Sequence, residues 1–228
     1  MVEYDLVIRD GVVLDGTGSS WLRNDIAVKG GRVVKVGAVK ADGKLEVDAR
    51  GFVVSPGFID LHNHSDLTIL AFPDAESYVM QGVTTAVVGN CGLSMAPVNP
   101  DNVELLKRYL SPLSAKGFDY GWDWRSLGEY YEKVEGQGTA LNLVPLVGHG
   151  TIRLAVKGFD PSEPSKGELE EMKRLLRESL DDGAFGMSSG LIYPPGAYAK
   201  TWELIELAKV LREYNACLLY TSPSPRDS

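Results

Sequence analysis

The sequence predicts an α/β protein in which a helix-covered parallel sheet follows a smaller piece built from strands. After Pro56, apolar runs rich in β-branched residues alternate with segments of helical periodicity, which is typical of parallel strands buried on both faces. Before Pro56, short β-rich runs separated by glycine turns indicate a sheet or half of a β-sandwich.

The β-rich piece contains two expected turns. In YDLVIRDGVVLDG, Asp10-Gly11 stands between two β-rich runs and predicts a hairpin. In DIAVKGGRVVKVG, Gly30-Gly31 predicts a second hairpin. Short strands joined by such turns have a small core of their own, so we expect this piece to pack on something else.

The second part begins with the apolar run GFIDLH and continues with three further runs, VTTAVVGN, TALNLVPLVGHG and GAFGMSSGL. PDAESYVMQG is expected to form a short helix between the first two. Residues 99–135 contain several Trp and Tyr residues and exceed an ordinary crossover. We therefore interpret them as an excursion over the strand ends.

Two longer helices are expected near the end of the chain. In PSKGELEEMKRLLRESLDDG, Ser165 and Glu168 form a capping-box pattern and Gly183 is a stop signal. Its apolar positions at helical spacing are Leu169, Met172, Leu176 and Leu180. In TWELIELAKVLREYN, Thr201 is the expected N-cap, and the apolar positions include Ile205, Ala208 and Leu211.

Composition excludes several classes of protein. The 228 residues are 44% hydrophobic and carry a net charge of −8, with no basic cluster of the kind that binds phosphate backbones, so no nucleic-acid partner is expected. No apolar run approaches the length of a membrane span, and the start does not resemble a signal peptide. Two cysteines favour a reducing cytoplasm.

His62 and His64 stand where an apolar strand gives way to the polar sequence HNHSD. Residues two apart on a strand share a face, so both imidazoles would point to the same side and suit a zinc ion. The alternative is a polar loop that binds nothing. Asp66 is either an acceptor for an imidazole N–H or a solvated turn residue, and the pattern does not decide between them.

Cys91 strengthens the case for a metal. It follows the next apolar run, so it should reach the same end of the sheet, and a thiolate is a good zinc ligand. The alternative is a buried, inert cysteine. The neighbours Gly89, Asn90 and Gly92 indicate a special turn instead of core packing.

The next two strand ends supply further polar side chains. His149 is predicted to support the metal ligands or to hold a turn. Arg153 is either a carboxylate partner or a helix-surface charge. Ser188 and Ser189 offer hydroxyls, and Tyr193 precedes a rigid Pro-Pro turn. The alternative for these three is ordinary turn chemistry.

In order along the chain, DLVIRDGVVLDGTG, VSPGFIDLHNHSD, QGVTTAVVGNCG, VGHGTIR and SSGLIYPPG resemble the amidohydrolase superfamily, and within it the D-aminoacylases, or N-acyl-D-amino-acid deacylases. The resemblance runs from about residue 3 to residue 216. It implies an incomplete (β/α)8 TIM-type barrel, with about the first four to five strands, preceded by part of a small β-sandwich domain.

The same resemblance implies zinc-dependent hydrolysis of the linear amide of N-acyl-D-amino acids, with one or two Zn²⁺ and a small-molecule substrate. His62 and His64 match the metal pair, and Cys91 matches the cysteine that ligates metal in place of a carbamylated lysine. Tyr193 falls in a loop that approaches substrate, and Asp66, His149, Ser188 and Ser189 are assigned to substrate binding or to support of the ligands.

The last residues depart from the family pattern. The family's later metal histidines, its catalytic aspartate and its substrate arginine are expected beyond residue 216, where this sequence has CLLYTSPSPRDS. The expected division is therefore 1–55 for the sandwich part, 56–216 for the half barrel and 217–228 for a non-family tail. We interpret this tail as artefactual, and the alternative is a natural disordered C-terminus. On this interpretation the parent protein is a hydrolase, and the chain as written is inactive and poorly stable.

Two other functions remain open at this point. One is a cyclic-amide hydrolase of the same superfamily, like dihydroorotase or hydantoinase. The other is a non-catalytic metal-binding module that uses His62, His64 and Cys91 only to fold. The preferred side chain, the acyl group and the oligomeric state are not readable from the sequence.

Overall fold

The computed structural model describes residues 2–219. It divides the chain into two compact units, Met1–Gly57 and Phe58–Ser228. No helix within the described range is long and apolar enough to cross a bilayer.

The first unit is a single five-stranded sheet. Its strands are β1 (Val2–Val13), β2 (Leu22–Lys29), β3 (Arg32–Gly37), β4 (Asp42–Asp48) and β5 (Val53–Val54). The order is β3-β2-β1-β4, with β5 also paired to β1. The β1–β2 and β2–β3 pairs are antiparallel, whereas β4 and β5 run parallel to β1.

The hairpin predicted at Gly30-Gly31 is confirmed. Lys29 pairs with Arg32, and the two glycines have φ values of 58° and 71°. Two successive positive φ angles match the twist of the flanking strands, and glycine reaches them without steric cost.

The hairpin predicted at Asp10-Gly11 is wrong. These residues form an irregularity within the continuous strand β1, where the register shifts between Ile8 and Gly11. Asp10 has a φ of 57°, and its backbone N–H donates to Asp25 Oδ1 at 3.0 Å. An Asp-Gly dipeptide occurs both in hairpin turns and in β-bulges. Here the residues on both sides of Asp10-Gly11 pair with β2, so the dipeptide forms a bulge.

The second unit contains a parallel sheet whose strands lie in chain order. They are β6 (Phe58–Asp60), β7 (Val83–Val88), β8 (Asn142–Gly148), β9 (Gly186–Ser188) and β10 (Cys217–Leu219). The helices are α1 (Glu76–Val79), α2 (Val103–Leu110), α3 (Leu127–Gln137), α4 (His149–Lys157), α5 (Lys166–Asp181) and α6 (Thr201–Glu213). All four predicted strands and the predicted helices are present, and they form a strand–helix repeat.

The segment predicted as a non-family tail is described only in part. Its first three residues form β10, which pairs parallel to β9. The remainder, 220–228, lies outside the described residues.

Helix α5 follows the sequence-based prediction closely. The Ser165 side chain accepts from the N–H of Glu168, and the Glu168 side chain accepts from the N–H of Ser165, so the capping box is complete. Met172, Leu176 and Leu180 are buried. This face packs into the main core of the second unit.

The predicted face of α6 is partly wrong. Thr201 is the first helical residue and provides no cap, and Ile205 is 52% exposed. Leu211 is buried as predicted, and the other buried positions are Glu203, Leu207 and Val210. A charged residue at a buried position hides the true apolar stripe from a pattern search.

Three aromatic residues of the segment predicted to cross the strand ends are part of the core. Tyr120, Trp124 and Tyr130 are at most 6% exposed and belong to the main hydrophobic cluster. The Tyr120 hydroxyl donates to the carbonyl of Leu67 at 2.6 Å, and the Tyr130 hydroxyl donates to that of Asp66 at 2.5 Å. These bonds satisfy backbone carbonyls of the loop that follows β6.

A buried ion-pair network joins α4 to α6. The carboxylate of Glu203 accepts from Arg153 Nη1 at 2.6 Å and from His149 Nε2 at 2.8 Å, and all three residues are fully buried. Arg153 Nη2 also donates to the carbonyl of Ser162 at 2.8 Å. Arg153 is therefore the carboxylate partner and not a helix-surface charge. Desolvated charges of this kind are tolerated only while each has its partner.

Replacing Glu203 by Ala should destabilise the chain by about 3–5 kcal/mol, because it leaves a buried guanidinium without a counter-ion. The matched control is Glu206→Ala, one turn along the same helix, where the carboxylate pairs with Lys173 and Lys209 near the surface. That control should cost at most about 1 kcal/mol. Urea unfolding followed by circular dichroism measures both, and equal losses would contradict a special role for the buried network.

Gly89 fixes how closely β7 and β8 approach. It has a φ of 75°, and a Cβ at this position would lie 1.9 Å from the carbonyl oxygen of Leu146. Gly117 has a φ of 77° but no atom within 4 Å of the corresponding Cβ position. The two glycines therefore share the same backbone requirement and differ in the space around it.

Gly117→Ala should cost about 1 kcal/mol of stability, from backbone strain alone. Gly89→Ala should cost at least about 3 kcal/mol or prevent folding, because the neighbouring backbone has to move. Denaturant unfolding of the two variants side by side separates the cost of backbone strain from the cost of steric overlap. Similar losses would show that the close approach at Gly89 is unimportant.

Candidate metal centre

His62 and His64 lie just beyond the strand from which they were predicted to project. Strand β6 ends at Asp60, whose Oδ1 accepts from the backbone N–H of His62 at 3.1 Å. The histidines occupy the loop that follows, before the 3-10 turn Ser65–Leu67. Their ring centroids are nevertheless 5.8 Å apart. The two imidazoles therefore lie close together, as predicted, although they project from a loop and not from a strand.

Cys91 sits in a turn of left-handed backbone after β7. Its φ is 56°, between Gly89 at 75° and Gly92 at 74°. A non-glycine residue seldom adopts this conformation, and it persists where surrounding bonds impose it. The glycine-rich sequence predicted a special turn here, and the structure contains one.

The structure brings His62, His64 and Cys91 together. One ligand atom from each residue lies within 4.8 Å of the others, and His62 Nε2 is 3.1 Å from Cys91 Sγ. A nitrogen and a sulfur bound to one tetrahedral zinc at about 2.1 and 2.3 Å would lie about 3.6 Å apart. The His62–Cys91 separation is about 0.5 Å shorter than this, so a small side-chain adjustment would let both residues bind one metal ion.

The protonation of His64 also suits a metal. Its Nδ1 is buried and has no hydrogen-bond partner among the residues that the structure describes. Burial and the neighbouring His62 lower the pKa of His64, so the ring stays neutral, as a ligand must be. Burial raises the pKa of the Cys91 thiol, and a bound cation would oppose that shift. The donor set fits zinc.

Asn90, which the sequence marked only as part of a special turn, is a positioning residue. Its side-chain amide donates to the carbonyl of Asn63 at 3.1 Å and to that of Val87 at 2.7 Å. It thereby ties the loop carrying both histidines to the turn carrying Cys91. A polar residue between glycines at a strand end was the available signal, but only the fold shows which loop it contacts.

Asp66 is not the solvated turn residue that was one alternative, because it is 1% exposed. Neither carboxylate oxygen accepts a hydrogen bond of standard geometry from residues 2–219. Burial raises the pKa of Asp66 to about 7, although the nearby N–H of Gly89 acts in the opposite direction.

Ser188 and Tyr193 both act on the turn that carries Cys91. The Ser188 hydroxyl donates to the carbonyl of Gly89 at 2.5 Å and accepts from the N–H of Gly92 at 2.9 Å. The Tyr193 hydroxyl donates to the carbonyl of Cys91. Ser189 is buried, and its N–H donates to the carbonyl of Leu219 at 3.1 Å. Ser188 and Tyr193, at and after the end of β9, therefore fix the turn that follows β7.

His149 begins α4 and is not the end of a strand. Its imidazole is bonded to Glu203, as described above, so the structure supports the structural alternative for this residue. The start of α4 still contacts the turn, because the N–H of Thr151 donates to the carbonyl of Gly92 at 3.1 Å. Glu203 was missed from the sequence, since nothing in its helix pattern marks it as buried.

Comparison with known proteins identifies relatives of one kind, the amidohydrolases. The amidohydrolase family model matches residues 45–216. The chain is 40% identical to N-acyl-D-aspartate deacylase of Alcaligenes xylosoxydans xylosoxydans over 212 residues, which are 92% of this chain and 41% of that protein. It is also 40% identical to N-acyl-D-glutamate deacylase of the same organism, covering 96% of this chain and 43% of that protein. The chain thus spans less than half the length of these relatives.

Solved structures agree with the sequence matches. N-acyl-D-glutamate deacylase from Bordetella bronchiseptica, crystallised with zinc and a phosphonate inhibitor, superposes with a TM-score of 0.84 at 36% identity, over 96% of this chain and 45% of that one. A D-aminoacylase superposes with a TM-score of 0.83 at 33% identity, over 95% of this chain and 44% of that one. These neighbours and the five parallel strands in chain order fit a partial TIM-type barrel. The chain belongs to the amidohydrolase family.

Proposed function

We propose that this chain carries part of the active site of a zinc-dependent hydrolase that cleaves the linear amide of N-acyl-D-amino acids into a D-amino acid and a carboxylate. The observation that carries the proposal is the convergence of His62, His64 and Cys91 within 4.8 Å at two neighbouring strand ends. The relatives named above support the substrate class.

In this proposal His62, His64 and Cys91 would hold one or two zinc ions. Zinc bound there would polarise the amide carbonyl and activate water. A solved D-aminoacylase is described with a binuclear metal centre, which supports the higher count for that protein.

Other residues near the proposed ligands hold the Cys91 turn in place. Ser188 and Tyr193 hold the Cys91 turn through its backbone, and Asn90 holds it to the histidine loop. Asp66 and Ser189 stay predictions as substrate-binding or ligand-supporting groups. None of the described aspartates is assigned as the general base, which the resemblance places beyond residue 216.

We also propose that the first unit, predicted as residues 1–55, is part of a β-sandwich. Leu6 pairs with Leu45, Ile8 with Val47, and Ile26 with Val36, so these side chains share one face of the sheet. Val36 and Leu45 on this face are 51% and 60% exposed. An apolar sheet face of this kind normally packs on a second sheet. Residues 56–216 are proposed as the barrel part.

The expected partner is a small molecule. Both cysteines are free thiols, which agrees with the reducing cytoplasm proposed as the compartment.

The activity is tested on the complete protein, freed of metal and reconstituted with zinc. We expect zinc-dependent release of D-amino acid from N-acyl-D-amino acids, with no release from the L enantiomers. Hydantoins and dihydroorotate are the comparison substrates. Preferential hydrolysis of these cyclic amides would contradict the proposal.

Replacing Cys91 by Ser should weaken zinc binding by about an order of magnitude or more, because it removes the thiolate ligand. The matched control is Cys217→Ser, in which an exposed cysteine on β10 is changed and zinc affinity should stay the same. Competition with a chromogenic chelator measures both affinities on the 228-residue chain.

The same two variants distinguish a catalytic from a structural metal. If the site is catalytic, Cys91→Ser lowers zinc affinity while the urea midpoint of the metal-free protein changes little. A large drop in stability that follows the loss of zinc would favour a metal-binding module. Equal zinc affinity in both serine variants would exclude Cys91 as a ligand.

A further inference from the structure

A cavity of about 360 Å³ opens beside the Cys91 turn. Its lining is Leu93, Tyr109, Pro112, Leu113, Tyr193 and Pro194. These residues come from three separate places: the turn itself, the end of α2 with the residues after it, and the loop after β9. None of the six carries a charge, and the only polar side-chain atoms are the two tyrosine hydroxyls.

Both tyrosine hydroxyls are already used. The Tyr193 hydroxyl donates to the carbonyl of Cys91, and the Tyr109 hydroxyl donates to the carbonyl of Gly92 at 3.3 Å. The ring centroids of the two tyrosines are 6.2 Å apart. Because the polar ends turn toward the backbone of the Cys91 turn, the rings present carbon to the cavity.

The cavity adjoins the turn that carries Cys91. Leu93 is two residues from the Cys91 ligand, and Tyr193 both lines the cavity and bonds to Cys91. A substrate whose carbonyl lies at the metal therefore has an apolar space within reach of one of its two halves.

We propose that this cavity binds the acyl chain of the substrate and favours aliphatic or aryl acyl groups longer than acetyl. The proposal rests on the proposed function. The amino-acid half of an N-acyl-D-amino acid carries a carboxylate, which requires a cation or several hydrogen-bond donors. The cavity offers neither, whereas the acyl half is uncharged and gains free energy when its methylenes leave water.

The test compares two isomeric probes, N-hexanoyl-D-alanine and N-acetyl-D-2-aminoheptanoate. They contain the same atoms and differ only in which half carries the alkyl chain. Their affinities for the zinc-loaded 228-residue chain are measured by titration calorimetry, with zinc content and probe integrity checked in the same samples. The hexanoyl isomer should bind more tightly, by about twofold per methylene transferred, which is half the free energy of full burial.

Leu113→Asp should abolish the preference, because it places a charge in the cavity. The control is Leu14→Asp in the first unit, since Leu14 and Leu113 have nearly equal exposure, 42% and 44%. That control should keep the preference. Leu113→Trp provides a second variant, in which a larger side chain fills the space and should remove the same preference without adding charge.

Equal binding of the two isomers, tighter binding of the aminoheptanoate isomer, or no binding of either would overturn the proposal. So would a preference that survives both changes at Leu113. These outcomes are read from binding and not from turnover. Failure of the proposed function would appear separately, as zinc binding that does not depend on Cys91.

Discussion

The candidate site depends on glycines, which lack side chains, at three strand ends that lie close together. A Cβ at Gly89 would lie 1.9 Å from the Leu146 carbonyl oxygen, and one at Gly148 would lie 2.4 Å from the carbonyl of Gly92. A Cβ at Gly190 would lie 2.1 Å from the carbonyl of Cys91. Only backbone fits into these gaps, so the strand ends converge far enough for their loops to exchange hydrogen bonds.

That convergence accounts for the unusual backbone of Cys91. The residue is held in a left-handed conformation by bonds on both sides, because Ser188 bonds to Gly89 and Gly92 while Tyr193 bonds to Cys91 itself. Hydrogen bonds from side chains in a distant part of the chain therefore offset the backbone strain. The result is a thiol placed 3.1 Å from an imidazole on the neighbouring loop. Preorganisation of this kind lowers the cost of assembling a metal site.

A second constraint is the burial of charge away from the proposed ligands. Glu203 neutralises Arg153 and accepts from His149, which locks the start of α4 against α6. The start of α4 in turn bonds to the Cys91 turn through Thr151 and Gly92. Buried ion pairs contribute little net stability compared with apolar packing, but they tolerate few alternative arrangements. The network is therefore better explained as a device that fixes the position of a helix than as a source of stability.

Sequence alone determined the alternation of strands and helices, the capping of α5, the Gly30-Gly31 hairpin and the metal-ligand candidates His62, His64 and Cys91. These features depend on local chemistry: periodicity, turn residues and the few side chains that bind zinc. Tertiary structure decided what local signals cannot distinguish. Asp10-Gly11 became a bulge because both halves of β1 pair with one strand, and Glu203 took a buried position because Arg153 and His149 face it. Tyr120 and Tyr130, from the aromatic segment 99–135, lie in the core, where their hydroxyls donate to the carbonyls of Leu67 and Asp66. In each case the deciding partner lies far away along the chain, and a sequence pattern records only neighbours.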